Sequence, residues 1–327
     1  MQISSDKEHI QEGIENTTTW GIDSRSFSTL TYGASATMHA IVHRPDVALY
    51  MNVANGIYLP PMRWMRIPTA INVDGMEWLR GKWGIAARTL FRIGARLSAR
   101  SRASLIFDSK EIARLWGELF DVAGTFIPYG GDVLPDVPPP TGLSRRGYVL
   151  VVARFVPENS IDVFFEAIRR IPVSTPVVMI GSSTFGDRLD RMASDMVRRR
   201  KFFRWIRHVE DDHLLHAYWN NAGVYFHGHT VGGTNPALVQ AMASGAPILA
   251  VDTAFNREVL GENGVFVKPD PEEVAERLTG LLSTPATLER MAERGRDRAQ
   301  RLYGWDAVNS QYERLLESLV RERRPDA

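Results

Sequence analysis

The stretch "HGHTVGGTNPALVQAMASG", His227 to Gly245, decides how the chain is read. Gly232 and Gly233 stand before Thr234, Asn235 and Pro236, and an apolar run then stops at Ser244–Gly245. Asn is a favoured N-cap, Pro a favoured first helical residue and Gly a favoured C-terminal stop. The pattern therefore predicts a helix from about Pro236 to Ser244. The "GVYFHG" in front of it reads as a strand. A side-chain-free corner between strand and helix has two readings. It is a tight turn, or it is a seat for an anion, because glycines admit backbone close to a ligand and helix-start N–H groups favour negative charge.

The same alternation extends on both sides. "GYVLVVARF" (147–155) and "TPVVMIG" (175–181) are continuous apolar runs, as expected of strands buried on both faces. A helix is expected from about Glu158, capped by Asn159 or Ser160, with Ile161, Phe164, Phe165 and Ile168 on its apolar face. "APILAVD" and "GVFVKP" continue the strands, and "DDHLLHAYWNNA", "FNREVLG", "DPEEVAERLTGLLSTP" and "ATLERMAERGRDRAQRLY" the helices. Strand and helix in turn, with short loops, predict a doubly wound parallel sheet. The first half is also α/β but less regular. "PDVALYMN", "IPTAINVDG", "ASLIFDS" and "TFIPYGGD" read as strands, and "GIAARTLFRIGARLSARSR" and "KEIARLWGELF" as helices. Before Pro45 only weak helical patterning and polar sequence are found. A Pro-rich segment divides the halves. The expected organisation is a first domain over 1–135, a linker over 136–146 and a second domain over 147–327.

Composition limits the function classes. A chain of 327 residues suits two domains. With 44% apolar and 24% charged residues it is that of a globular protein, and a net charge of +1 gives no global pull toward nucleic acid. There is no cysteine, hence no disulfide or thiolate metal site, which suits a cytoplasmic setting. The opening "MQISSDKEHIQEGIENTTTW" lacks the apolar core of a signal peptide. No metal-ligand spacing is visible. No G-x-G-x-x-G follows a first strand, which argues against a dinucleotide-dependent oxidoreductase.

Arg154 follows the strand "YVLVVA" and should project from the same sheet edge as the glycine corner. A guanidinium there can grip a diphosphate with paired hydrogen bonds; for a lone Arg a structural role is favoured, and the glycine helix start beside it raises the functional reading. Asp74 ends the strand "PTAINVD" at the corresponding edge of the first domain. With Glu77 it is a candidate to orient or deprotonate a hydroxyl; the alternative is an Asp-Gly turn.

Three segments, "ARFVPENSIDVFFEA", "HGHTVGGTNPALVQAMASGAPILAVDTAFNREVLGENGVFV" and "INVDGMEWLRGKW", resemble the GT-B glycosyltransferases of the large retaining family four. The likeness leans toward the bacterial rhamnosyltransferase-like enzymes of polysaccharide assembly and covers roughly residues 25 to 322. It implies two Rossmann-like domains across a cleft, an acceptor side and a nucleotide-sugar side, a last helix that crosses back to the first domain, and no metal. It implies that Arg154 contacts the donor diphosphate, that Asn159 stands where many relatives have a lysine, and that Gly232 and Gln240 stand where many have glutamates. It places His208 beside the nucleobase and His229 within reach of sugar or phosphate, with Gly233, Thr234 and Asn235 completing the donor edge. His227 is expected to be structural. The implied substrate is a dTDP-sugar, with rhamnose transferred under retention to a glycan or lipid-linked acceptor. Relatives begin with a strand and a glycine-rich loop that are not visible here, so the first domain reads as incomplete, with an edge that a second copy of the chain could cover.

Between Glu77 and Asp108 there is no acidic residue, while Arg80, Lys82, Arg88, Arg92, Arg96, Arg100 and Arg102 all fall there. Arg88, Arg92, Arg96 and Arg100 repeat every four residues and so share one side of a helix. With "LPPMRWMRIP" nearby, this predicts contact with an anionic membrane at the inner face; the alternative is a solvated Arg face. Two function classes follow: a retaining glycosyltransferase, or a weak or inactive homologue that binds nucleotide sugar or scaffolds an assembly. Asn159, Gln240 and the irregular beginning favour the second.

Overall fold

The computed structural model describes residues 13–22, 28–81, 83–183 and 188–323. Most of the polar opening stretch and Lys82 lie outside them. Two parallel sheets organise the chain. The first half runs α1 (Ser28–His43), β1 (Ala48–Met51), α2 (Leu59–Trp64), β2 (Thr69–Asn72), α3 (Ile85–Arg100), β3 (Ser104–Phe107), α4 (Lys110–Phe120) and β4 (Thr125–Phe126). Its strands lie side by side in chain order, β1-β2-β3-β4.

The second half runs β5 (Val149–Val152), α5 (Ile161–Ile168), β6 (Val177–Ile180), α6 (Arg188–Arg199), β7 (Phe203–Ile206), α7 (Asp212–Asn221), β8 (Val224–His227), α8 (Pro236–Ala243), β9 (Ile248–Val251), α9 (Ala254–Leu260) and β10 (Val265–Val267). Three helices close the chain: α10 (Pro271–Leu282), α11 (Pro285–Tyr303) and α12 (Trp305–Arg323). The second sheet has the order β10-β9-β8-β5-β6-β7. Strand order therefore reverses between β5 and β8, the switch point at which a doubly wound sheet opens a crevice.

Side chains alternate across each sheet, so one strand feeds two cores. In the second sheet Val149, Val151 and Phe226 pack with Phe164, Phe165 and Leu278 on one face. Leu150, Tyr225 and Ile248 pack with Leu238, Met242 and Tyr303 on the other. In the first sheet Ile71, Leu105 and Phe107 meet Phe91, Ile112 and Trp116. The opposite face, Ala70, Ile106 and Ile127, is covered by Val308, Tyr312, Leu315 and Leu319 of α12. The last helix thus lies on the first domain's sheet, and Asn72 Nδ2 donates to Tyr312 OH at 2.8 Å.

Local departures from the sequence expectation have physical causes. Residues 157–159 form a 3₁₀ turn, and α5 starts only at Ile161, after Ser160 adopts φ 48°. Ser160 holds the N-cap position of α5, but its side chain makes no capping bond, and Asn159 lies in the turn before it. The helix α2 was masked in sequence by Pro60 and Pro61, which occupy its first turn, where proline costs no hydrogen bond. The Pro-rich segment between the sheets is anchored rather than loose: Asn220 Oδ1 accepts from Val137 N at 3.1 Å, and Asn221 Nδ2 donates to Val137 O at 3.0 Å.

Candidate active site

The crevice at the β5/β8 switch point is a cavity of about 630 Å³. The loop after β5 brings Arg154, Glu158 and Asn159 to it, and the loop after β8 brings Gly228, His229 and Asn235. His208 stands on the rim and is exposed. Arg154 is exposed to the cavity with its backbone carbonyl held by Asn159 Nδ2 at 2.8 Å. Asn159 Oδ1 lies 2.7 Å from His229 Nδ1, so one neutral side chain ties the two loops together. His227 is buried against Tyr225 OH at 3.2 Å. Burial, then the neighbouring His229, pushes its pKa down to about 3, so the imidazole is neutral at physiological pH. Glu158 lines the same cavity, 5% exposed, and both its carboxylate oxygens are buried without a hydrogen-bond partner.

The glycine corner faces the first domain more than the cavity. Gly232 has φ 124°, and a Cβ there would stand 3.1 Å from Arg80 Nη2 and 3.3 Å from His229 Nε2. At Gly233 a Cβ would fall 2.1 Å from Asp108 Oδ1. The glycine pair is therefore required by the approach of the two domains, in addition to any ligand. Two expectations change as a result. Thr234 is buried and its hydroxyl donates to the Asp108 carbonyl, so it is not a free donor-site hydroxyl. Gln240 lies on the second turn of α8, away from the residues that line the cavity, with its backbone N packed near Gly131. Asn235 caps α8 by accepting from Ala237 N at 3.0 Å and Leu238 N at 3.4 Å, so two of the helix-start donors are already satisfied.

The first domain meets this corner with the ends of β2 and β3. Asp74, at φ 52°, accepts from Asn52 Nδ2 and Tyr129 OH, both at 3.2 Å. Gly75, next to it, packs 3.5 Å (as a Cβ position) from Gly233 N. Asp74 thus sits beside the glycine corner and retains carboxylate lone pairs beyond these two bonds. Glu77, the other candidate, is engaged within its own turn. It is 3% exposed, paired with Arg80 Nε at 2.6 Å, and accepts from Trp83 Nε1 at 2.9 Å.

Asp108 was not singled out in the sequence. It is 1% exposed with Oδ1 unpartnered, and burial, followed by the charge of Asp74, raises its pKa to about 7. The register of β2 on β3 pairs Asn72 with Ile106, so Asp74 and Asp108, each two residues beyond, end neighbouring strands together. Two Asp residues after apolar runs were the available signal. Glu258 of α9 reaches across the cleft. Its carboxylate accepts from Ser109 Oγ at 2.8 Å, Lys110 N at 2.7 Å and Glu111 N at 3.1 Å, which satisfies the start of α4.

The arginine face of α3 is divided. Arg92, Arg96 and Arg100 are exposed, as are Arg63, Trp64 and Arg102 nearby. Arg88 turns inward, half-buried, and donates from Nη2 to the Arg80 carbonyl at 3.3 Å. It leaves the exposed row because the start of α3 packs on the turn that carries Arg80. Among the described residues no helix is long and apolar enough to cross a membrane, and no group of three His, Asp or Glu is placed to hold a metal.

Comparison with known proteins fits this geometry. Residues 139–298 match the family of glycosyl transferases group 1. That span holds β5 through most of α11, including Arg154 and the glycine corner. Phosphatidyl-myo-inositol mannosyltransferase of Mycobacterium leprae is 30% identical over 222 residues, 64% of this chain and 58% of that protein. O-antigen chain mannosyltransferase B of Escherichia coli is 22% identical over 63% of this chain and 57% of its own length. The chain spans little more than half of these relatives. In three dimensions, HepE of Anabaena in complex with UDP superimposes with a TM-score of 0.74 at 17% identity, over 89% of this chain and 83% of that one. Sucrose-phosphate synthase of Thermosynechococcus elongatus gives the same TM-score and identity over 89% and 78%. The fold is GT-B, two parallel-sheet α/β domains joined face to face.

Proposed function

We propose that the protein is a glycosyltransferase that takes a sugar from a nucleoside-diphosphate donor to a hydroxyl of a glycan or lipid-linked acceptor. The observation that carries this reading is the pairing, at one switch point, of Arg154 and the α8 start around a 630 Å³ cavity, next to a glycine corner that meets Gly75, the neighbour of Asp74. A related fold is known with UDP and with UDP-glucose, both in HepE. For this chain the donor is a dTDP-sugar, with rhamnose the sugar transferred, on the strength of the "GGTNP" and "FNREVLG" segments.

The route is transfer with retention. The C1–oxygen bond to the diphosphate breaks while the acceptor oxygen bonds C1 on the same face, and the departing diphosphate oxygen takes the acceptor proton. Arg154 and the positive end of α8 stabilise the charge that grows on the diphosphate, and Asp74 orients the acceptor hydroxyl. Arg154→Ala should weaken UDP or dTDP binding by about 1.5–3 kcal/mol, the scale of a hydrogen bond to a charged group. Calorimetry checks it, and unchanged affinity would move the donor site elsewhere. NMR of the new linkage decides the stereochemistry; an inverted anomeric centre rules the route out.

An anionic membrane is the proposed setting for the acceptor. Arg92, Arg96 and Arg100 lie exposed on one side of α3, near Trp64 at 82% and Ile85 at 86% exposure. Replacing the three arginines with Gln should weaken binding to phosphatidylserine vesicles by about 1 kcal/mol per charge. Vesicle flotation at low salt checks this, and a wild type that stays in solution there would discard the membrane role.

A further inference from the structure

The donor cavity has one charged wall that belongs to the other domain. Arg80 lines it together with Arg154. Its side chain is only 14% exposed, and its Nη2 stands 3.1 Å from the position of a Cβ on Gly232. The turn that carries it is braced twice. Glu77, buried and fixed by Trp83, holds the Nε side at 2.6 Å. Arg88 reaches back to the Arg80 carbonyl. Pairing through Nε leaves the outer edge of the guanidinium free, and among the described residues no second carboxylate pairs with it. A largely desolvated cation with an open donor edge, aimed at a glycine corner, is matched by an anion with oxygens at that corner.

The second domain supplies little further charge. Arg207, the other cavity arginine, lies 3.8 Å from Asp190 and stacks over Trp205 at 4.3 Å, and Asn159 is neutral. Resting on the donor-site reading above, we propose that Arg80 is a second diphosphate-binding residue, supplied by the first domain, aligned by Glu77 and opposing Arg154 across the glycine corner. The diphosphate is then held from both domains, and its binding fastens the cleft.

The test compares UDP and dTDP with uridine and thymidine by NMR titration. The proteins are the wild type, Arg154→Ala, Arg80→Ala, Arg80→Lys, Glu77→Gln and the doubly neutral Glu77→Gln/Arg80→Gln. Arg80→Ala and the double variant should bind the diphosphates about 10- to 100-fold more weakly while nucleoside affinity is unchanged. Arg80→Lys should be intermediate, since a point charge replaces a planar fork. Glu77→Gln should lower the diphosphate-to-nucleoside affinity ratio several-fold, whereas a purely structural Glu77 would alter only the melting temperature. The double variant removes both members of the buried pair, so it reads the same contact without stranding a charge. Diphosphate affinity that falls in Arg154→Ala but not in Arg80→Ala or the double variant overturns the proposal alone. A wild type that binds neither diphosphate overturns the donor-site reading, and the role of Arg80 with it.

Discussion

The two sheets solve one problem in different ways. In the second domain strand order reverses between β5 and β8, and the crevice lies in the sheet itself. In the first domain β1 to β4 follow in chain order, so no reversal opens a crevice. That domain contributes instead through what its strands end in: Asn52, Asp74, Asp108 and the turn bearing Arg80 and Glu77. The lesson is that one half carries a site by topology and the other by loops fitted to it. The glycine corner is the joint between them.

Filling the joint should have the largest effect. Gly233→Ala places a methyl 2.1 Å from Asp108 Oδ1, against a buried carboxyl group whose backbone carbonyl is held by Thr234. The domains must part by about an ångström to admit it. A displacement of that size at a reaction centre costs on the order of 100-fold in rate. Sugar transfer should fall by that amount, and diphosphate affinity should fall with it as Arg80 is drawn away, while nucleoside affinity stays within a few-fold. Steady-state kinetics and calorimetry on the same variant separate the two. If rate and affinity are both unchanged, the corner is not where the domains meet.

A smaller effect concerns acidity. Asp108 is raised to about 7 by burial, with Asp74 adding to it. Its unfolded counterpart titrates near 4. Between those values the folded chain holds a proton that the unfolded chain has lost, so stability falls as pH rises from about 4 to about 7 and is level above that. The contribution is a few kcal/mol, on a scale of about 1.4 kcal/mol per pH unit. Asp108→Asn, which keeps the shape and stays neutral, should flatten that slope. Urea unfolding between pH 4.5 and 8 reads it. An unchanged slope would mean that the carboxyl is ionised in the folded state.

These contrasts also explain what was legible in the sequence. The second domain was readable because its strands are unbroken apolar runs and its helix signals are local: Asn235, Pro236 and Gly245 each act within a few residues. Arg154 could be placed because a residue just past a strand must lie at the sheet's carboxyl edge. Arg80 was visible only as one charge in a basic run, since a run of arginines does not say which one turns inward to a buried Glu77. Thr234 and Gln240 were placed at the donor by position in the motif, and the structure puts one against Asp108 and the other outside the cavity lining. Asp108 and Glu258 were missed because their partners lie across the cleft, at separations no periodicity reports. The first domain read as incomplete because the strand and glycine-rich loop of the resembled family are not visible before Pro45. What sequence did not show is that α12 covers its sheet from 180 or more residues away.

The mildest test addresses how the domains are fastened away from the glycine corner. Glu258 leaves α9 to cap α4 with bonds to Ser109 Oγ, Lys110 N and Glu111 N. Ser109 also caps α4 by itself, accepting from Glu111 N at 3.1 Å, so the helix start is not orphaned when Glu258 is removed. Glu258→Ala should therefore cost about 1–2 kcal/mol, the range of a lost cap, and not unfold the first domain. What it should change is the coupling of the halves, because the carboxylate belongs to one and the helix to the other. Amide exchange should quicken at the first turn of α4 and remain as in the wild type along β5 and β8. Faster exchange throughout the second sheet would mean that Glu258 stabilises its own domain, and the fastening would have to be sought in the Asp108–Thr234 contact alone.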